Sequence, residues 1–508
     1  LPRQYARGTK KGDDFVNNDY KLQGRHVAKF VIMSIIGLFL FVVLLPAGGG
    51  TFNIPLGFVI NWLGLTLNRF ELGGFGLVFT IAAILITVSF LGTVVAWVFK
   101  PSFIMDNSRL KDLFLSHPVY FVSKGIAVVL VWMVFFGVGP DWLLCPWDGA
   151  GLMMDLIAGG SSGSNLITIF LVLGLAIPLL TDFGIMEFLG MLIRKVVRFL
   201  FTLPGRSSID LMGSWFSSSA ASVIITRDQH EKGFYTGREA AAICVNFTIV
   251  SLPFTFVIAN FIGLMSNFLV FYLVICITVI ILAVIMPRIW PLRGIKDEYL
   301  PEVGKQIVEE PDPNTSIFSQ ATRLAAQRAS VTTPAGVIKS GLSNWLNIFM
   351  DLIPFILAWG TIALVINAQT PIFDIASWPF GQFMRLLGVE YAMNYSSATL
   401  VGFFDMFLPA VLLSGQDAVA VYTGYAGDYV EGYGYGYELY EFFVAPIATR
   451  FIIGALSIVQ IIYMAETGIL ILKSKIPLNI GHLAIIFLMR TVFALPIIVL
   501  LTRILFRG

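Results

Sequence analysis

The chain has 508 residues, of which 57% are hydrophobic and 13% charged, against roughly 25% charged in an ordinary soluble domain. A mean hydropathy of +0.83 and a formal charge of +2 mark a polytopic membrane protein and exclude a nucleic-acid surface, which needs a concentrated positive field. Three cysteines (Cys145, Cys244, Cys276) without a C-x-x-C pair exclude a disulfide framework and a thiolate metal site, and read as packed small apolar residues.

A helix needs about 20 apolar residues to cross the hydrocarbon. Nine stretches qualify: 27–45, 77–99, 121–143, 165–190, 239–262, 267–287, 344–367, 442–465 and 479–502. A basic tail, 1–26, precedes the first, so a cleaved signal peptide competes with a permanent anchor; "LLPAGGGTFN" after a 19-residue core favours the anchor. The start at Leu1 suggests a trimmed N-terminus. Residues 54–67, too short to cross and bearing Asn61, with Asn68 at the end, read as interfacial. The three spans within 27–164 are expected to form a scaffold or an oligomer contact, with a homodimer as the assembly considered.

Basic residues are retained on the cytoplasmic side. With the N-terminus inside, segments 1–30, 100–124, 191–238, 287–343 and 473–478 hold 27 of the 33 Lys and Arg residues. That places the N-terminus on the cytoplasmic side of the membrane. The stretch "GRSSIDLMGSWFSSSAASVIITRD", Gly205 to Asp228, is flanked by basic residues on both sides, so it enters and leaves by one face. It reads as a re-entrant hairpin, 207–226. Non-helical backbone at membrane depth survives only where protein or a watery cavity satisfies it, and small hydroxylated residues suit such a place.

Shifting the chain by 189 positions sets "SSIDLMGSWFSSSAASVIITRD" (207–228) over "SSATLVGFFDMFLPAVLLSGQD" (396–417), with six identities in 22 positions. Upstream, "IPLLTDFG" (177–184) matches "IPFILAWG" (353–360). The intervening stretch is 13 residues longer in the second copy, and its content, "AQTPIFDIASWPFGQF", is expected to be a loop. Residues 386–449 carry seven carboxylates and no Lys or Arg, so the second hairpin, 395–414, is expected to open outward. The fold class is therefore an all-α polytopic membrane protein with two inverted-topology repeats, 165–287 and 344–508, each holding a re-entrant helical hairpin. An N-terminal three-span scaffold precedes them, and a cytoplasmic linker, 288–343, with one amphipathic or surface helix, joins them. Two hairpins meeting from opposite faces make a central polar site, the geometry alternating access needs.

The pattern of an Ile-Pro helix, a small-residue hairpin and a following pair of spans resembles the Gate, or nucleoside-recognition, domain, and the full layout is similar to the YjiH type of bacterial membrane protein. The resemblance covers roughly 165–505. Related Gate segments occur in concentrative nucleoside transporters and ferrous-iron transporters, so it implies a transport role.

Polar groups at membrane depth are costly and mark functional candidates. For the solute these are Ser214, Ser217, Ser218 and Ser219 at the first hairpin, Asn246, Ser251 and Thr255 on the next span, and Arg450, whose fork of donors suits a carboxylate or phosphate. Arg450 could equally snorkel to the outer interface or bridge to Asp405 or Glu441. For ion or proton coupling they are Asp405, in "GFFDMFLPA", then Asp182 and Asp417. Arg490, in "IFLMRTVF", is expected to pair with Glu466. Asp228 and Asp417 also fit loop caps, and "EGYGYGYELY" (431–440) reads as an aromatic lid or a partner contact.

"HEKGF" lacks the second histidine of a zinc helix and no P-loop occurs, so neither a metal, a cofactor nor an enzymatic activity is expected. The function expected is a secondary transporter or exporter of a small polar organic solute, anionic or zwitterionic, driven by a proton or sodium gradient, with membrane lipid and no nucleic acid as its surroundings. A non-transporting membrane assembly or signalling factor on a Gate scaffold is the alternative, and a membrane-embedded enzyme the third.

Overall fold

The computed structural model describes residues 22–505 apart from 44, 49–50, 73–74, 116–117, 145–153, 155–156, 159–164, 217–218, 248–251, 306–314 and 414–445. Among the described residues six helices are long and apolar enough to cross a bilayer, and one bent pair can add a seventh crossing. Nine were expected. The difference comes from interrupted helices, which hydropathy reads as whole.

The N-terminal part supplies three of the six: α1 (Gly24–Val42), α3 (Leu77–Val98) and α4 (Pro118–Phe136). Between the first two lies α2 (Pro55–Leu67), whose 13 residues span about 20 Å. The buried side of α3 is small and polar (Ala82, Ala83, Ser89, Thr93), which lets α4 approach closely. Lys124, counted above with an inner loop, instead sits inside α4 and is fully buried. Its ammonium pairs with Asp351 at 2.7 Å and donates to Thr93 Oγ1 at 3.1 Å. Asp351 belongs to a π-helical turn, Ile348–Leu352, between α13 (Pro334–Asn347) and α14 (Ile353–Gln369). Ser89 donates to the Met350 carbonyl of the same turn at 2.6 Å, and Trp359 on α14 donates to Ser123 at 2.9 Å. The scaffold is thus fastened by hydrogen bonds and one ion pair to the chain that begins the second half.

The span expected over 165–190 is two helices, α5 (Leu166–Thr181) and α6 (Ile185–Phe201), bent by 56°. Gly184 makes the bend: its φ is +101°, and a Cβ there would lie 2.5 Å from the Ala325 carbonyl oxygen. The described residues of the serine-rich segment form α7 (Ser207–Phe216) and α8 (Ser219–Glu231). Ten residues make about 15 Å of helix, half a bilayer core. The span expected over 239–262 is also broken, into α9 (Gly237–Asn246) and α10 (Leu252–Phe261); α11 (Phe268–Ile285) then runs unbroken.

The linker holds two helices rather than one. α12 (Ile317–Val331) packs on α1 and α6, and α13 packs on α5. The insertion read as a loop is helix α15 (Ile372–Leu386). Its prolines mislead: Pro371 precedes the first turn and Pro379 sits inside, while Ser377, Gly381 and Met384 form a buried stripe at helical spacing and Ile375, Trp378 and Leu386 face outward.

After α15 come α16 (Ser396–Val401), a turn over 402–407 and a helical stretch at 408–413. The span expected over 442–465 is α17 (Ile447–Val459), which stops at an irregular stretch, 460–463, before a π-helical turn (Met464–Gly468) and α18 (Ile469–Leu472). The chain closes with α19 (Ile480–Leu505). Among the described residues an interrupted helix followed by an unbroken one closes each half, α9 and α10 before α11, and α17 and α18 before α19. α11, α17 and α19 pack together, with Phe271 and Phe451 in edge contact at 5.2 Å.

Replacing Lys124 by Met removes the counter-charge of Asp351 and is expected to cost about 2–3 kcal/mol of stability, whereas Lys124→Met combined with Asp351→Leu recovers most of it. Thermal unfolding of the detergent-purified single and double variants checks this.

Candidate functional site

The two breaks are brought together by one side chain. Arg490, in the middle of α19, is fully buried. Its Nε and Nη2 donate to the Val459 carbonyl at 2.9 and 2.8 Å, and Nη1 donates to the Val245 carbonyl at 3.0 Å and to Asn246 Oδ1 at 2.8 Å. Val245 and Asn246 end α9, and Val459 ends α17. The last carbonyls of a helix have no partner within it and carry the negative end of its dipole, so each break offers partial negative charge to the guanidinium. The expected partner was Glu466, whose side chain lies outside the described residues. Two backbone carbonyls and an amide oxygen accept from Arg490 among the described residues.

The segments expected to be hairpins, 207–226 and 395–414, are each tied to the break beside them. Ser214 on α7 is fully buried, and its hydroxyl reaches the carbonyls of Leu211, at 2.8 Å, and of Phe247, the residue after Asn246. Gln460, directly after Val459, donates from Nε2 to the Thr399 carbonyl of α16 at 3.0 Å and to Thr491 Oγ1 at 2.9 Å. A Cβ on Gly402 would lie 2.2 Å from Gln460 Oε1, so only glycine admits this approach. Met464 N donates to the Phe403 carbonyl at 2.9 Å. A continuous buried chain thus runs from Ser214 through Phe247, Asn246, Arg490 and Val459 to Gln460 and Thr399. The halves also cross over: Phe407 of the second hairpin packs edge-on against Phe254 and Phe261 of α10, and α8 of the first lies against α18.

The second break is strained. Ile461, β-branched and fully buried, has φ of +64°, a region that costs such a residue of order 1–3 kcal/mol. Surrounding bonds hold it there: Tyr463 OH donates to the Ser457 and Ile458 carbonyls at 3.0 and 2.8 Å, capping α17, and Tyr463 N donates to Thr467 Oγ1 at 3.2 Å.

Of the residues singled out from sequence, Ser214 and Asn246 belong to this cluster, Asn246 also donating to the Ala242 carbonyl at 3.0 Å. Ser219 and Thr255 are buried on α8 and α10. Ser217, Ser218, Ser251 and Asp417 lie outside the described residues, as does 431–440. Asp405 is buried in the turn of the second hairpin, where Oδ1 accepts from Phe407 N at 2.8 Å and so begins the helical stretch at 408–413. Arg450 is half-buried near the start of α17, nine residues or about 14 Å along the axis from Val459. There it donates from Nη1 to the Ile262 carbonyl at 3.1 Å, over Gly263, whose φ of +69° and lack of a side chain admit it. Asp182 lies at the bend between α5 and α6, where Arg328 of α12 reaches it at 3.6 Å and Glu187 at 3.8 Å, so it docks the linker helix. Sequence reasoning missed Gln460, Thr491 and the Lys124–Asp351 pair. The available signal was a polar residue inside an apolar run, as in "GALSIVQIIY".

A family model described as Gate, nucleoside recognition, matches residues 164–265. An uncharacterized protein of Alkalihalophilus pseudofirmus is 40% identical over 480 residues, covering 94% of each chain. The chain is a Gate-domain membrane protein. Among solved structures, CNTnw in an inward-facing substrate-bound state overlays with a TM-score of 0.41 at 14% identity, covering 87% of this chain and 98% of that one. A double variant of CNTnw in an outward-facing state gives 0.40 at 14% identity, over 88% and 99%. The Gate match takes in α7 to α10, hence Ser214 and Asn246, and ends before the second hairpin, Gln460 and Arg490.

Gln460→Leu keeps the volume but leaves the Thr399 carbonyl of the Gate-domain protein without its side-chain donor, and is expected to lower stability by about 1–3 kcal/mol. Thermal unfolding measures the loss, and proteolysis within 396–413 should rise with it.

Proposed function

We propose that the protein is a secondary active transporter or exporter of a small polar organic solute, anionic or zwitterionic, coupled to a proton or sodium gradient, with the two halves inverted and alternating access between them. The observation that carries the reading is the buried polar chain from Ser214 to Thr399, which joins two helix breaks and two hairpins inside an apolar protein. Broken helices at membrane depth are costly unless they line a path or a site, and transporters place substrate and ion sites at such breaks. The strain at Ile461 supports the same reading, since strained backbone persists where function requires it.

In this scheme Ser214, Ser219, Asn246 and Thr255 recognise the solute, together with Ser217, Ser218 and Ser251, and Arg450 meets its anionic group. Asp405, in the turn of the second hairpin, carries coupling, with Asp182 and Asp417 as further carboxylates. The distribution of Lys and Arg supports a cytoplasmic N-terminus, and a bacterial relative supports a bacterial inner membrane. The family description, nucleoside recognition, makes nucleosides the first solutes to assay.

Purified protein in liposomes, tested against nucleosides, amino acids and organic acids, should move at least one solute faster than empty vesicles, and faster still with an imposed proton or sodium gradient. Asp405→Asn should retain binding and lose the gradient dependence. Flux that responds to the gradient as before in that variant would remove Asp405 from coupling; no flux for any of the three solute classes would favour the non-transporting scaffold.

A further inference from the structure

A guanidinium has five N–H donors, and four hydrogen bonds from that of Arg490 end on three oxygens: the carbonyls of Val245 and Val459 and Oδ1 of Asn246. Among the described residues no carboxylate pairs with it. An isolated charge buried in a membrane protein is expensive. Here the compensation is the converging C-terminal ends of α9 and α17, whose dipoles and unpaired carbonyls favour a cation. Backbone carbonyls of broken helices plus a side-chain amide oxygen are also what an alkali or other hard cation takes as ligands.

We infer that Arg490 is a tethered cation: its guanidinium occupies the point between the two helix breaks that an inorganic cation would otherwise fill. The charge there is then permanent, neither loaded nor released, and it holds α9 and α17 in one arrangement. No alkali ion is bound between these breaks in the native chain. The consequence for coupling, that an ion gradient must act through another group, rests on the transporter reading; the occupancy itself does not.

The test uses the full chain purified in detergent and needs no transported solute. Unfolding temperature is read in sodium chloride, potassium chloride and choline chloride at equal ionic strength, and with millimolar methylguanidinium added to the choline sample. Arg490→Ala should melt well below the native protein in choline and regain stability saturably with sodium, potassium or methylguanidinium, because any ion that binds only the folded state raises its melting point. The native protein should show no such gain from methylguanidinium. An Arg490→Ala protein that responds to none of the three ions beyond choline would overturn the inference, as would saturable sodium stabilisation of the native protein that Arg490→Ala abolishes. Should Arg490→Ala not fold, Arg490→Lys and Arg490→Gln decide it. The charged variant should give about tenfold more folded protein than the neutral one, the worth of a charge-assisted hydrogen bond, and equal amounts would contradict a role for charge. Liposomes without flux alongside ion rescue of Arg490→Ala would sink the transporter reading alone.

Discussion

A helix that stops inside a membrane protein leaves carbonyls that neither water nor its own turns can satisfy, and the architecture here follows from how those groups are answered. Two helices stop, α9 at Asn246 and α17 at Val459, and one guanidinium from a third, unbroken helix answers both. Each break gains a charged donor from Arg490, and Arg490 at full burial finds its oxygen partners at both breaks. That shared contact ties residues 245 and 459 into one unit and draws the hairpins with them, through Phe247 to Ser214 and through Gln460 to Thr399.

The remaining connections differ in kind. The segments 207–231 and 396–413 lie against the breaks through neutral hydrogen bonds, Ser214 to Phe247, Gln460 to Thr399 and Met464 to Phe403, and through aromatic edges, contacts worth about 1 kcal/mol each. The scaffold is fixed to the second half by an ion pair whose lysine is fully buried and by two hydrogen bonds at and just after the π-turn at 348–352. The linker helix α12 is held at the α5–α6 bend by partly buried charges at 3.6 and 3.8 Å, and Thr332 after it donates to the Asp182 carbonyl. The ties are thus charge-assisted at the breaks, the scaffold and the linker, and neutral at 396–407.

Much of this was legible in the sequence. Composition alone identified a helical membrane protein, and the Ile-Pro helix with its serine-rich partner pointed to the Gate family. Hydropathy, however, counts apolar side chains and is blind to backbone hydrogen bonding, so "AAICVNFTIVSLPF" and "ALSIVQIIYMAETG" read as whole spans although each is interrupted. The insertion at 372–386 read as a loop because proline signals outweighed a buried stripe spaced at helical period. Arg490 and Asn246 are both legible as intramembrane polar residues, but the other two oxygens that Arg490 meets are main-chain carbonyls, which every residue possesses and no sequence pattern marks. Lys124 was counted as a loop residue because the start of its helix falls six residues before it.

The claim that one guanidinium secures both breaks is tested most directly by hydrogen–deuterium exchange on the Arg490→Gln protein compared with the native chain. Amides flanking both interruptions, around 244–252 and 456–468, should lose protection together and by similar factors, with the amides of α11 unchanged. Deprotection confined to one interruption, or none at either, would contradict the account.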